Sequence, residues 1–297
     1  MRVNPNYSSD MVNLMDQAQE SVDNAAQELS TGRKVSLPSD DPAAEAAMIQ
    51  ENSASASVDQ YKASSSSLED VLNTANTTLD KVVTLLQKAV SLGVEGAGGT
   101  MNQSDLTSIA DEVSDIKSQV LALANTSYAG KYLFSGTYTS GAPYVVDSSD
   151  STQIDYAGNS GQNKVQIGTG LSVASNLPGS SIFSQSGSNV FDALQSLVTA
   201  LQSGNTTTIS TAETSVSNSL EAVNTAQVFY GNTVNELTTN ETYLSQEKVN
   251  ITTYEDTLVS ADTADAATQM TEAETALNAT IAAAAKVNQV SLLNYLQ

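Results

Sequence analysis

Residues 68–123 read LEDVLNTANTTLDKVVTLLQKAVSLGVEGAGGTMNQSDLTSIADEVSDIKSQVLAL, and this stretch decides the fold. Its apolar positions recur at Leu68, Leu72, Ala75, Leu79, Val82, Leu86 and Val90. Steps of three and four residues keep those side chains on one helical face. The cluster from Gly93 to Gly99 then predicts a turn. Ser104 follows as a candidate N-cap, and Leu106, Ile109, Val113, Ile116, Val120 and Leu123 carry a second stripe. Two such stripes joined by a short loop predict an antiparallel helical hairpin.

Moving outward, the same rhythm returns on both sides. Helix is expected from Phe191-Asp192-Ala193-Leu194 to Leu201, stopping at Gly204. Ser210 and Glu213 fit a capping box that opens the longest helical segment. Leu220, Val223, Tyr230, Val234, Leu237, Leu244, Ile251 and Leu258 lie on one heptad grid, with Gln227, Glu241, Lys248 and Glu255 as polar leaks in it. At the N-terminal end the stripe is Tyr7, Met11, Leu14, Ala18, Val22, Ala25 and Leu29. At the other end it is Met270, Ala273, Leu277, Ile281, Ala284 and Val287, before Ser291-Leu292-Leu293-Asn294-Tyr295-Leu296-Gln297. Between them, Gly32 and Pro38 break the first helix, and Asp41 is a natural N-cap with Pro42 at the first helical position.

The period changes to two only after Gly130. Tyr132/Phe134, Val165/Ile167 and Leu171/Val173 alternate with polar residues, and Asp147–Asp150, Gly158–Gly161 and Gly168–Gly170 supply turns. The expected fold class is therefore mainly α: long antiparallel helical rods, paired terminal helices and a small β-rich inserted outer domain. The expected division is 1–41 with 262–297 as a terminal helical assembly domain, 42–136 with 188–261 as a helical rod domain, and 137–187 as the insertion.

Composition narrows the function. Eleven basic residues stand against 33 acidic ones in 297 residues, a net charge of -22 that repels nucleic acid and anionic membrane alike. Cysteine and histidine are absent, so no Cys/His zinc site, thiolate nucleophile or histidine base is available. No run of apolar residues is long enough to span a bilayer, and no basic-then-apolar leader opens the chain.

The remaining chemical candidates are weak. Gly93-Val94-Glu95-Gly96-Ala97-Gly98-Gly99 lacks the lysine of a phosphate loop and follows a helix. Asp147, Asp150 and Asp155 do not match a calcium loop, which needs its central Gly and closing Glu. Serines have no histidine to activate them, and no carboxylate pair suggests glycosidase chemistry. The expectation is no catalytic residue, no metal, no cofactor and no enzymatic activity.

Four blocks carry a family likeness. They are Met1-Arg2-Val3-Asn4 with Glu28-Leu29-Ser30-Thr31-Gly32-Arg33-Lys34-Val35; Leu37-Pro38-Ser39-Asp40-Asp41-Pro42-Ala43-Ala44; Gly130-Lys131-Tyr132-Leu133-Phe134-Ser135-Gly136-Thr137; and Tyr254-Glu255-Asp256 with Ala261-Asp262 and the closing Ser291–Leu296. In order and across the whole chain they resemble the bacterial flagellin superfamily. The prolines flanking Ser-Asp-Asp are similar to its hook–filament junction branch, where filament flagellins usually carry Asp-Asp-Ala-Ala-Gly. One departure is Gln227-Val228-Phe229-Tyr230, where relatives often place an arginine before the glycine.

The resemblance implies a secreted, extracellular axial component of the flagellum. It implies export without a cleaved signal peptide, through the flagellar type III apparatus and with an export chaperone. It also implies a ring of copies of the chain itself, between hook-associated protein 1 and flagellin, with terminal helices that order on assembly. The assembly interface so implied comprises Tyr7, Met11, Leu14, Val22, Leu29, Leu277, Ile281, Val287, Leu292, Leu293 and Leu296. A filament flagellin is the nearest alternative, and a surface adhesin using 137–187 is the alternative from another class.

Overall fold

The computed structural model describes the backbone of residues 7–295 and the side chains of 9–286. The helices are α1 (Tyr7–Thr31), α2 (Pro42–Ala97), α3 (Gln103–Ala124), α4 (Gly179–Ile182), α5 (Val190–Ser203), α6 (Thr206–Val259) and α7 (Thr263–Tyr295). The strands are β1 (Ser127–Tyr128), β2 (Lys131–Tyr132), β3 (Tyr144–Val146), β4 (Ile154–Tyr156), β5 (Lys164–Gly168), β6 (Leu171–Ala174), β7 (Ser184–Gln185) and β8 (Ser188–Asn189). The chain is thus mainly helical with a small β-rich stretch. It divides into two compact units, Met1–Ala56 with Glu247–Gln297, and Ser57–Gln246.

The first unit contains α1, α7, the start of α2 and the end of α6. α1 stops where Gly32 turns left-handed at φ +67. Lys34 then donates its backbone N–H to Val259 O at 2.7 Å, and Ala261 donates to Gly32 O at 2.9 Å. This clasp ties the exit of α1 to the exit of α6, over a cluster of Val35, Ala44 and Val259 with Met48 and Leu258 against it. Asp40 accepts from the backbone N–H groups of Leu37 at 2.8 Å and Ser36 at 3.1 Å, which hold its carboxyl below the usual range. Asp41 caps α2 as the sequence predicts, accepting from Ala43 and Ala44 at 3.0 Å. Asp262 caps α7 through Ala264 at 2.8 Å.

α2 and α6 run antiparallel. In the first unit Lys248 Nζ meets Ser55 Oγ at 2.5 Å. In the second, Lys62 Nζ meets Ser245 Oγ at 3.1 Å, and Gly93 lies against Glu213. α3 and α5 complete the helical layer of the second unit. Its seam on α6 is Ile209, Val216, Val223, Tyr230 and Leu237, interleaved with Ala212, Ser219, Ala226 and Thr233, all buried. The two polar members return their hydroxyls to the helix, Ser219 to Ser215 O and Thr233 to Phe229 O. Gln227 and Glu241 therefore lie half-buried beside this seam rather than in it. Of the other two leaks expected from the sequence, Lys248 reaches Ser55, and Glu255 keeps one carboxylate oxygen buried without a partner among the described residues.

Three other expectations shift. The glycine run is not all turn: α2 continues to Ala97, and Gly96 lets the helix approach Leu201, whose Cδ2 would lie 2.5 Å from an added Cβ. α3 is capped by Asn102, not Ser104, with Asp105 N donating to Asn102 Oδ1 at 3.0 Å. α6 begins four residues before Ser210, and its first amides are received by Asn205, from Thr207 at 2.9 Å.

The β-rich stretch forms four separate antiparallel pairs, β1–β2, β3–β4, β5–β6 and β7–β8. Pairs this small do not hold themselves together. An aromatic cluster serves instead: Tyr144 packs on Tyr156, Phe183 and Phe191 at 5.0, 5.6 and 5.1 Å between ring centroids, and Phe134 meets Phe183 edge-on. Asn125 clamps the strand β3 to the end of α3, donating to Tyr144 O at 2.8 Å and accepting from Tyr144 N at 2.9 Å. The buried ammonium of Lys117 binds Thr152 O and Gln195 Oε1, and desolvation lowers its pKa.

Candidate assembly interface

α1 and α7 pack along each other. On α1 the half-buried or buried row is Met11, Met15, Ala18, Val22 and Ala25. On α7 it is Ala266, Met270, Ala273, Leu277, Thr280 and Ala284. Both rows step by three and four residues, the spacing of a helix–helix seam. The seam is thin. Ala25 and Ala266 are its fully buried members among the described side chains, and alanine contributes little area.

The residues marked from the sequence divide into three groups. Met11, Val22 and Leu277 lie half-buried on the seam. Leu14, Leu29 and Ile281 face away from it, 54%, 39% and 45% exposed, beside Val12 at 56%. The side chains of Tyr7, Val287, Leu292 and Leu293 lie outside the described residues, and so does Leu296 entirely. Met15 and Thr280 belong to the seam without having been marked. From Met11, a step of three reaches Leu14 and a step of four reaches Met15, and both satisfy a heptad. On α7 the apolar Ile281 masks the true seam position of Thr280, whose hydroxyl is turned to Ala276 O at 2.8 Å.

A pronounced concavity lies elsewhere, in the second unit. It is a groove of about 1060 Å³ bounded by Leu68 and Val71 of α2, the β1–β2 hairpin, Asn176 and Tyr230. Its polar groups serve the fold. Asn176 accepts from Asn163 N and donates to Gly136 O and Gly161 O, while Tyr230 Oη accepts from Leu177 N at 3.2 Å. No cluster of metal-ligating side chains occurs among the described residues, and none of their helices is long and apolar enough to cross a membrane.

Comparison with known proteins agrees with this architecture. Residues 3–139 match the bacterial flagellin N-terminal helical region, and residues 206–296 match the C-terminal helical region. The chain is 28% identical over 235 residues to flagellar hook-associated protein 3 of Escherichia coli, covering 71% of this chain and 73% of that protein. A flagellar hook-associated protein from Vibrio parahaemolyticus superposes with a TM-score of 0.68 at 22% identity, over 74% of this chain and 99% of that one. The flagellar junction protein FlgL of Legionella pneumophila gives 0.63 at 15% identity, over 72% and 100%. The two helical-region matches lie on either side of strands β3 to β8 and together take in most of the sequence, so the chain belongs to the bacterial flagellin family.

Proposed function

We propose that this chain is the hook–filament junction protein of a bacterial flagellum, a structural component without enzymatic activity. The observation that carries this is the α1–α7 pair. It is too thin to be an independent domain, and it presents Leu14, Leu29 and Ile281 outward, as a surface meant for neighbouring subunits would. The likeness to flagellar hook-associated protein 3 of Escherichia coli supports the junction over a filament role. In this reading copies of the chain form a ring, with hook-associated protein 1 on one side and flagellin on the other. The chain is extracellular in its working place, and it arrives through the flagellar type III apparatus with an export chaperone.

The test uses Leu29→Asp and Ile281→Asp in cells lacking their own copy. Both positions are exposed in the single chain, so the purified variants should melt within a degree or two of wild type. In the ring each charge is buried once per subunit, so hooks should remain bare and flagellin should be shed into the medium. Lys164→Glu, on an exposed strand position, should change neither property. Full-length filaments on Leu29→Asp cells would remove the basis for the proposal.

A further inference from the structure

With no cysteine, histidine or tryptophan in the chain, the methionine thioethers are its softest nucleophiles. Five methionines fall among the described side chains, and three of them, Met11, Met15 and Met270, lie on the α1–α7 seam. The other large side chains of that seam are Val22 and Leu277, the remainder being alanine and threonine. Among the described side chains, methionine therefore supplies about half of the apolar bulk of that seam. All three are half-buried, which leaves them within reach of a small oxidant.

We propose that Met11, Met15 and Met270 form a modification site at which a hydroperoxide uncouples the terminal helices. The sulfur attacks one peroxide oxygen, an S–O bond forms and the O–O bond breaks. For hydrogen peroxide the second oxygen leaves as water with both protons. The thioether is oxidised by two electrons to the sulfoxide and the peroxide is reduced by two.

The surroundings decide the consequence. A sulfoxide oxygen needs a hydrogen-bond donor when it is removed from water. Among the described residues the seam rows offer Ala, Val and Leu beside the methionines, and the Thr280 hydroxyl is already committed to Ala276 O. Closing the pair over a sulfoxide would strand its oxygen, so the modified pair opens. Met48 provides the contrast. Its sulfur lies 3.8 Å from Arg33 Nη2, where a guanidinium stands ready to donate to the new oxygen. Oxidation at Met48 is therefore tolerated.

The experiment treats the full-length chain with millimolar hydrogen peroxide, locates the sulfoxides by peptide mass spectrometry and measures hydrogen exchange. The expected result is modification of Met11, Met15 and Met270 and a ten-fold or greater loss of amide protection in both α1 and α7 together. Residues 68–123 should be unchanged, and methionine sulfoxide reductases should restore the helices. The triple variant Met11→Leu/Met15→Leu/Met270→Leu, close to volume-conserving, should keep its protection under the same treatment. Equal protection before and after full oxidation overturns the proposal, as does lack of protection in the untreated chain. Loss in the triple variant also overturns it, by assigning the effect to other methionines. Exchange is read on the single chain, so the outcome is independent of whether the ring assignment holds.

Discussion

Gly96 and Gly231 each lie inside a long helix, α2 and α6, yet their surroundings oppose one another. A Cβ at Gly96 would stand 2.5 Å from Leu201 Cδ2, and Leu201 is fully buried with nowhere to swing. A Cβ at Gly231 would meet nothing within 4 Å beyond its own stretch of helix. Urea unfolding should show Gly96→Ala destabilising by ~1–3 kcal/mol through overpacking. It should show Gly231→Ala stabilising by ~0.5–1 kcal/mol through helix propensity. A local sequence pattern cannot separate the two, because the difference lies in what α5 brings close. Tyr230 is a second such case. The heptad grid marks it as a core position, but not that burial pushes its hydroxyl pKa up to about 12. The folded-state value lies above the unfolded one, so its contribution is complete below pH 10 and is lost as pH rises toward 12. Tyr230→Phe should cost ~1 kcal/mol at pH 7, for the lost bond from Leu177 N. Each pH unit above 10 takes ~1.4 kcal/mol from wild type alone, so the variant should overtake it near about pH 11. A constant difference between the two across that range would show that the phenol ionises freely.

Elements were legible in the sequence to the extent that their boundaries had a single candidate. Asp41-Pro42 and Gly204 were unambiguous, and both stand in the structure, Gly204 with φ +67 at the end of α5. The starts of α3 and α6 each had several polar residues in a row, and the true caps, Asn102 and Asn205, precede the ones the patterns favoured. The mechanism predicts the energetics. Asn205 receives the first amides of α6, from Thr207 at 2.9 Å and Thr208 at 3.3 Å, so Asn205→Ala should cost ~1 kcal/mol in thermal or urea unfolding. Ser210 is exposed inside α6, and Ser210→Ala should stay within ~0.5 kcal/mol of wild type. The reverse ranking would mean that α6 frays to Ser210 in solution. The β-rich stretch illustrates a different limit. Period-two alternation marks β5 and β6 correctly, but pairing into one sheet or several depends on long-range partners that alternation does not encode. Here the aromatic cluster around Tyr144 takes the place of a continuous ladder.

At the scale of the whole molecule the dominant fact is charge, and it was fully legible in composition. Thirty-three acids and eleven bases leave at least 22 carboxylates in each chain without a basic partner of its own. The ion pair Lys88–Glu112, at 2.5 Å with both side chains about half exposed, contributes little in such a field. Within one chain these charges can spread over the surface, but a ring places copies side by side and adds repulsion at every contact. The apolar positions Leu14, Leu29 and Ile281 must overcome that repulsion. Their attraction depends weakly on salt, whereas the repulsion acts over a Debye length of about 30 Å at 0.01 M and about 8 Å at 0.15 M. Self-association of the purified chain should therefore be suppressed at 10 mM NaCl and rise steeply by 150 mM, as read by sedimentation velocity. Replacing the salt with an uncharged osmolyte at equal osmolarity should not reproduce the rise, since it leaves the Debye length unchanged. Glu20→Lys with Glu274→Lys, on exposed positions of α1 and α7, should move the transition to lower salt. Leu29→Asp should abolish association at every salt concentration, because screening cannot replace a missing apolar contact. Association that is equally strong at 10 and 300 mM NaCl would show that the contacts between copies lie away from the acidic surface.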